Sequence, residues 1–290
     1  MPYFQADDGA KLYYEIHGKN NSRPILFLHG WGVGSAFFSE QIPPLIKEGY
    51  KVITMDARSH GKSDRGSKYI GELEARLLDL MFMDFMNFLE HLNLKENFTL
   101  IGHSAGGGIS IVFGSMTELK ENIASMIIIN SGYTISENPS VLLLWELVPL
   151  FVNVLYNPIL RTGYKLVLRN DATITALALA LQQPREKVRS WIEDITNIPK
   201  EQIILEYNNF KRYNIKEHLK EIKCPSLIIG GQLDMVTPVY MSRQMAKEIP
   251  NSELYVVPAG HMAMLEVPDL INKKIIEFLS KNFPANGTSI

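Results

Sequence analysis

Apolar, β-branched runs of strand length recur along the chain at PILFLHG (24–30), YKVITMD (50–56), FTLIGH (98–103), ASMIIINSG (124–132), PSLIIGG (225–231) and ELYVVP (253–258). Each run is apolar almost throughout, the pattern of a strand covered on both faces. Stretches with helical spacing separate most of them, and that alternation predicts right-handed crossovers in an α/β fold with a mostly parallel central sheet flanked by helices. AKLYYEIHG (10–18) reads as an antiparallel strand at the sheet edge. In LEARLLDLMFMDFMNFLEHL (73–92) the polar positions Arg76, Asp79, Asp84, Asn87 and His91 recur every three to five residues. That spacing predicts a crossover helix with one narrow wet face and core-packed methionines and phenylalanines.

The alternation stops at Tyr133. From there to about residue 218 no strand-like run occurs, and TITALALALQQPREKVRSWIEDI and PKEQIILEYNNFKRYNIKEHL read as helices separated by prolines. Strand and helix alternate again from Pro225 to EVPDLINKKIIEFLSKNF (266–283), a helix with Pro268 near its start. The division is therefore a core of residues 1–132 and 219–290 with a helical insertion at 133–218. PANGTSI, after the last helix, reads as a disordered tail.

Composition narrows the partners more than the fold. A chain of 290 residues suits one core carrying a large insertion, or two domains. With a formal charge of −2 there is no electrostatic reason to expect nucleic acid, which leaves small, neutral ligands as the default. The one cysteine, Cys224, precedes a proline at the start of an apolar run and reads as a packed residue without a disulfide partner. MPYFQADDGAKLYY lacks the basic-then-apolar layout of a secretory signal, so a cytoplasmic location is expected. VLLLWELVPLFVNVLYNPIL (141–160) is interrupted by Glu146, Pro149, Asn153 and Pro158, which argues against an integral membrane segment. Paired-histidine and paired-cysteine metal spacings are absent, and Gly106-Gly107-Gly108 is not accompanied by a phosphate-binding lysine, so neither metal nor cofactor is expected. A monomer or a homodimer fits equally.

The candidate chemistry is concentrated in LIGHSAGGG (100–108). Gly102-His103-Ser104-Ala105-Gly106 fits G-x-S-x-G between a strand and a helix, a context that exposes the serine hydroxyl at a sharp turn. A serine hydroxyl is a weak nucleophile, so it needs a general base, and the base needs an acceptor that orients it. His261 in VVPAGHMAM follows the last strand, and Asp234 in IIGGQLDMVTP follows the strand before it. Both fall where loops leave the C-terminal edge of a parallel sheet. His29 and His60 precede the serine, and His17, His91 and His218 fall in an edge strand or on helices, so none matches as well as His261.

The chain order Ser104, Asp234, His261 resembles that of the α/β-hydrolase fold superfamily, and the resemblance extends over essentially the whole chain. It implies a catalytic triad of those three residues and a helical cap at 133–218 whose Trp145, Tyr156 and Tyr164 would help close an apolar pocket. His29-Gly30-Trp31-Gly32 resembles the family's oxyanion loop, which implies that the backbone N–H groups of Trp31 and Ala105 receive the oxyanion. The stretch from Asp56 to Asp64 resembles the family's D-x-R-x-x-G-x-S loop, in which Asp56 and Arg58 are supporting residues, as are His29, Gly30, Gly32 and His103 around the turn. The activity implied is hydrolysis of a small apolar ester or lactone through an acyl-enzyme. C–C bond hydrolysis, aminopeptidase, perhydrolase and acyltransferase chemistry remain open alternatives, as does a ligand-sensing receptor that retains the triad.

Overall fold

The computed structural model describes residues 2–64, 77–94, 97–116, 119–134, 142–143, 146–181 and 185–285. Its strands are β1 (Tyr3–Gln5), β2 (Lys11–His17), β3 (Arg23–Leu28), β4 (Tyr50–Met55), β5 (Phe98–His103), β6 (Ile123–Ile129), β7 (Ser226–Gly231) and β8 (Ser252–Val257). They form one sheet in the order β1-β2-β4-β3-β5-β6-β7-β8. Only the pairs β1 with β2 and β2 with β4 are antiparallel; β4 to β8 run parallel through β3, β5, β6 and β7.

The apolar runs explain this arrangement. Every residue of β5 and β7 is buried. Because side chains alternate across a strand, Leu26, Leu100 and Ile128 enter one apolar cluster while Ile25, Ile101 and Ile127 enter another on the opposite face. Burying each such side chain contributes about 1.5–3 kcal/mol, so both faces must be covered. Helices do this: α1 (Ile42–Lys47), α2 (Leu77–His91) and α3 (Ala105–Ser115) lie in the first half of the chain. Between β6 and β7 come α4 (Val148–Leu155), α5 (Pro158–Leu168), α6 (Asp171–Leu181), α7 (Arg185–Asn197) and α8 (Lys200–Lys211). Helices α9 (Val239–Glu248), α10 (Ala263–Glu266) and α11 (Pro268–Asn282) complete the core. Among the described residues, no helix is long and apolar enough to cross a membrane.

The helical segment after β6 is fastened to the sheet domain at several points. Thr134 and Asn214 form an isolated antiparallel bridge, and Ile215 N–H donates to Tyr133 O at 2.8 Å, which closes the base of the insertion. On α7, Lys187 pairs with Glu40 and the Trp191 indole N–H donates to Ala36 O at 3.4 Å. The Phe210 ring of α8 lies 6.1 Å from that of Trp31.

Two expectations need correction. The strand expected at 10–18 is antiparallel but is not the sheet edge, because β1 pairs outside it through Tyr3↔Tyr13 and Phe4↔Leu12. Asp84 does not lie on a wet face: it is buried against Arg58, whose Nη2 donates to Asp84 Oδ1 at 2.7 Å, while Met83 beside it is exposed. Burial pushes the Asp84 carboxyl up against the opposing pull of Arg58. Residues 73–76, 286–290 and Trp145 lie outside the described residues, as does the Tyr164 side chain.

Candidate active site

Ser104 joins β5 to α3 with φ 53° and ψ −119°, a conformation that costs a non-glycine residue about 1–3 kcal/mol and persists only where neighbours hold it. Those neighbours are named groups. Ser104 N–H donates to Ile129 O at 3.0 Å, and the Ser131 hydroxyl donates to Ser104 O at 2.7 Å. Small residues let α3 close over the sheet: a Cβ on Gly106 would stand 2.1 Å from Leu28 O, and one on Gly108 would stand 2.0 Å from the Tyr213 hydroxyl.

Beyond the turn, the structure brings Ser104, His261 and Asp234 into a line. His261 Nε2 lies 3.0 Å from Ser104 Oγ, and His261 Nδ1 lies 2.9 Å from Asp234 Oδ2. A carboxylate only accepts, so Nδ1 carries the proton and Nε2 turns its lone pair to the serine hydroxyl. Asp234 is held from all sides: Val236 and Thr237 N–H donate to Oδ1 at 2.8 and 2.9 Å, and Thr237 Oγ1 and Asn130 Nδ2 donate to Oδ2 at 2.8 and 2.7 Å. Burial alone would raise its pKa, yet the hydrogen bond and charge of His261, with the hydrogen bonds of Thr237, hold it below the usual carboxylate value. The Asp234 side chain is 0% exposed and that of His261 is 20% exposed, so the ring reaches the open side of the site while its partner stays dry.

The turn His29-Gly30-Trp31-Gly32 abuts the serine, since a Cβ on Gly30 would lie 3.0 Å from Ser104 Cβ. Gly32, at φ 81°, occupies backbone space that side chains disfavour. Two histidines strap this turn to the following loop. His29 Nδ1 donates to Gly30 O and its Nε2 accepts from Ala57 N–H, both at 2.8 Å. His60 Nδ1 donates to Arg58 O at 2.8 Å and its Nε2 accepts from Gly32 N–H at 3.2 Å. Burial, aided by His60, pushes the His29 pKa down to about 4, which matches its use of one donor and one acceptor as a neutral ring. Asp56 accepts from Ser35 N–H at 2.6 Å and from Lys62 N–H at 2.9 Å, and Arg58 is bidentate to Asp8 at 2.7 and 3.0 Å. Ala105 is the first residue of α3, so its N–H has no acceptor within the helix and points from the end that favours an anion.

Three neighbours of this site were not singled out from sequence as functional. Asn130, at φ 45°, ties Asp234 to the His261 loop by donating also to Gly260 O at 2.8 Å. Thr237 holds both oxygens of the Asp234 carboxylate, through its N–H to Oδ1 and its hydroxyl to Oδ2. Glu206 of α8 is buried with Oε2 3.7 Å from His60 Nε2, and its Oε1 accepts from Gln202 at 2.6 Å. Burial raises its pKa against the pull of His60. An asparagine directly after a buried strand, where a positive φ is tolerable, is the one signal that could have flagged Asn130. Cys224 is packed in the core as expected, and burial pushes its thiol up to about 11.

Comparison with known proteins supports the architecture. The family model described as alpha/beta hydrolase fold matches residues 23–268. An uncharacterized hydrolase, YugF, of Bacillus subtilis (strain 168) is 26% identical over 94% of this chain and 95% of its own length. The enol-lactonase from Burkholderia xenovorans LB400 superposes with a TM-score of 0.76 at 19% identity, covering 96% of this chain and all (100%) of that one. The esterase EaEST from Exiguobacterium antarcticum gives a TM-score of 0.76 at 22% identity, covering 96% and 98% of the two chains.

Proposed function

Because the chain belongs to the alpha/beta hydrolase fold family and is a hydrolase of that fold, we propose that it cleaves small carboxylic esters or lactones through an acyl-enzyme on Ser104. The observation that carries this reading is the continuous run of bonds from Ser104 Oγ through His261 to Asp234. His261 Nε2 takes the hydroxyl proton as Ser104 Oγ attacks the carbonyl carbon; the imidazolium then protonates the leaving alkoxide, giving the alcohol and the acyl-enzyme. Water, deprotonated by the same nitrogen, attacks the acyl carbon and releases the acid while the proton returns to Ser104. Asp234 stays ionised throughout, as its lowered pKa favours, and offsets the charge on the ring.

The backbone N–H groups of Trp31 and Ala105 are assigned to the oxyanion, a role in which each donor is worth about 2.7–4 kcal/mol of barrier. Residues 133–218 are assigned as a cap. An apolar acyl or alcohol group suits the site because Trp31, Ala105 and Ile109 all pack, half-buried, on one apolar cluster.

Labelling with a fluorophosphonate, beside turnover of p-nitrophenyl esters and simple lactones, tests the reading. Label on the wild type and none on Ser104→Ala is the expected result. Wild-type activity no higher than that of Ser104→Ala on every substrate would overturn it.

A further inference from the structure

Glu206 sits on α8, in the helical segment between β6 and β7, with its side chain only 4% exposed and turned to that of His60, itself 3% exposed. A carboxyl in such a place costs stability unless polar groups meet it. Leu205 and Phe210 on the same helix are buried as well, and another apolar side chain would fill the seam without that cost. The groups around the carboxyl therefore carry the information. Gln202, buried one turn earlier, donates from Nε2 to Oε1 at 2.6 Å, and Oε2 faces His60 Nε2 at 3.7 Å. Burial raises the pKa of the acid, while His60, Gln202 and the Trp31 indole pull it down, so these three groups surround it. A neutral carboxyl both donates and accepts, which suits a position between a ring lone pair and N–H donors.

These partners lead to the turn beside Ser104. His60 Nε2 accepts from Gly32 N–H at 3.2 Å and its Nδ1 donates to Arg58 O at 2.8 Å, so the ring that Glu206 faces is the ring that holds Gly32. Phe210, one turn after Glu206, sets its ring 6.1 Å from that of Trp31. Gly32 itself adds no packing: at φ 81°, a Cβ there would meet nothing within 4 Å among the described residues. A turn left open on that side keeps its shape through the bonds made to it. Further along, α7 holds the residues that follow the turn, Lys187 at Glu40 and the Trp191 indole N–H at Ala36 O. The helical segment thus grips residues 31–40 at two places.

A backbone N–H stabilises a developing oxyanion only if its direction is fixed before the reaction. We infer that Glu206 is a positioning residue of the oxyanion turn, bracing Trp31 and, through His60, the Gly32 N–H, so that the seating of α8 sets the aim of the Trp31 N–H. The inference rests on the assignment of Trp31 to the oxyanion. Loss of Glu206 misdirects a donor that acts in the transition state, so it should lower kcat and spare KM.

Steady-state hydrolysis of a p-nitrophenyl ester by wild type, Glu206→Leu and Glu206→Gln tests it, beside inhibition by a trifluoromethyl ketone, whose adduct with the serine carries the oxyanion. Glu206→Leu should lower kcat about tenfold at unchanged KM, part of the roughly 10²–10³-fold that one oxyanion donor is worth. It should weaken the ketone by the same factor. Glu206→Gln keeps a donor and an acceptor and should stay within about threefold of wild type. If Glu206→Leu does not fold, as judged by near-ultraviolet circular dichroism, Gln202→Leu takes its place. That variant strips the donor that aims the carboxyl and should lower kcat about threefold at unchanged KM. Unchanged kcat in the leucine variant that folds, a fall in Glu206→Gln equal to that in Glu206→Leu, or a change confined to KM overturns the inference. Turnover that depends on Ser104 leaves the ester reading standing in each of those cases, whereas wild type without such turnover overturns both.

Discussion

The His103 ring donates from Nε2 to the backbone carbonyl of His261 at 2.9 Å, so the residue before the proposed nucleophile holds the loop of the proposed base. That bond requires no charge on His103, and burial, with His261 adding to it, pushes its pKa down to about 3. His29 is held neutral in the same way, at about 4.

An acid sensitivity follows. In the unfolded chain both histidines take up protons below about pH 6.5, while in the folded chain they do not, so stability falls as pH drops from about 6.5 toward those lowered values. At pH 5 the loss should be about 2 kcal/mol for each histidine relative to neutral pH. Urea unfolding at pH 7 and pH 5 measures it. His103→Gln keeps a donor but cannot titrate, and should lose about half of the difference between the two pH values; an unchanged difference would count against the assignment.

Removing the charge at Asp234 should separate catalysis from folding. Asp234→Asn is expected to lower kcat by about 10⁴-fold, because an amide favours the wrong tautomer of His261. The carboxylate's lowered pKa also stabilises the fold above its ordinary value of 3.8, and that contribution is lost as pH falls through the lower folded value. The stability gap between wild type and Asp234→Asn should therefore narrow under acid. Steady-state ester hydrolysis and urea midpoints between pH 3 and pH 7, on the order of one unit apart, decide both points.

The two glycines over the sheet should behave differently on substitution. A methyl on Gly108 meets the end of the Tyr213 side chain, whereas one on Gly106 meets the Leu28 carbonyl carbon at 2.5 Å and oxygen at 2.1 Å, which are backbone. Gly108→Ala should cost about 1–3 kcal/mol by overpacking. Combining it with Tyr213→Phe, which deletes the colliding hydroxyl, should recover part of that loss. Gly106→Ala should not be rescued by Tyr213→Phe. Thermal melts of the four variants test the contrast, and equal rescue of both glycines would refute it.

Glu206 yields a pH effect of opposite sign. Its folded pKa is raised, so the folded state prefers the protonated acid, and stability is lost as pH climbs above the unfolded value of about 4.5. Glu206→Gln removes that loss and should flatten the stability profile between about pH 5 and pH 8. A variant with the wild-type slope over that range would show that Glu206 is already ionised without cost.

Legibility from sequence followed the range of the physics. Ser104 and Asp234 follow the fully buried β5 and β7 and His261 follows the half-exposed β8, and a strand end with its loop is a local pattern, so each of these candidates could be named one at a time. Asn130 could not, because its value lies in reaching Asp234 from a neighbouring strand end, 104 positions earlier in the chain. β1 escaped notice because three residues are too few to display a period. Asp84 was misread for a related reason: polar spacing along a helix cannot distinguish a residue facing water from one facing Arg58.

The separation of Ser104 from His261 by 157 positions also sets a timetable. At a synthesis rate of about 5–20 residues per second, a growing chain carries the serine for roughly 8–30 s before the histidine is made. Truncated or stalled products that end within that interval hold the hydroxyl without the imidazole. Synthesis thus delivers the proposed nucleophile early and the proposed base late, and fragments released in between should be inert toward esters.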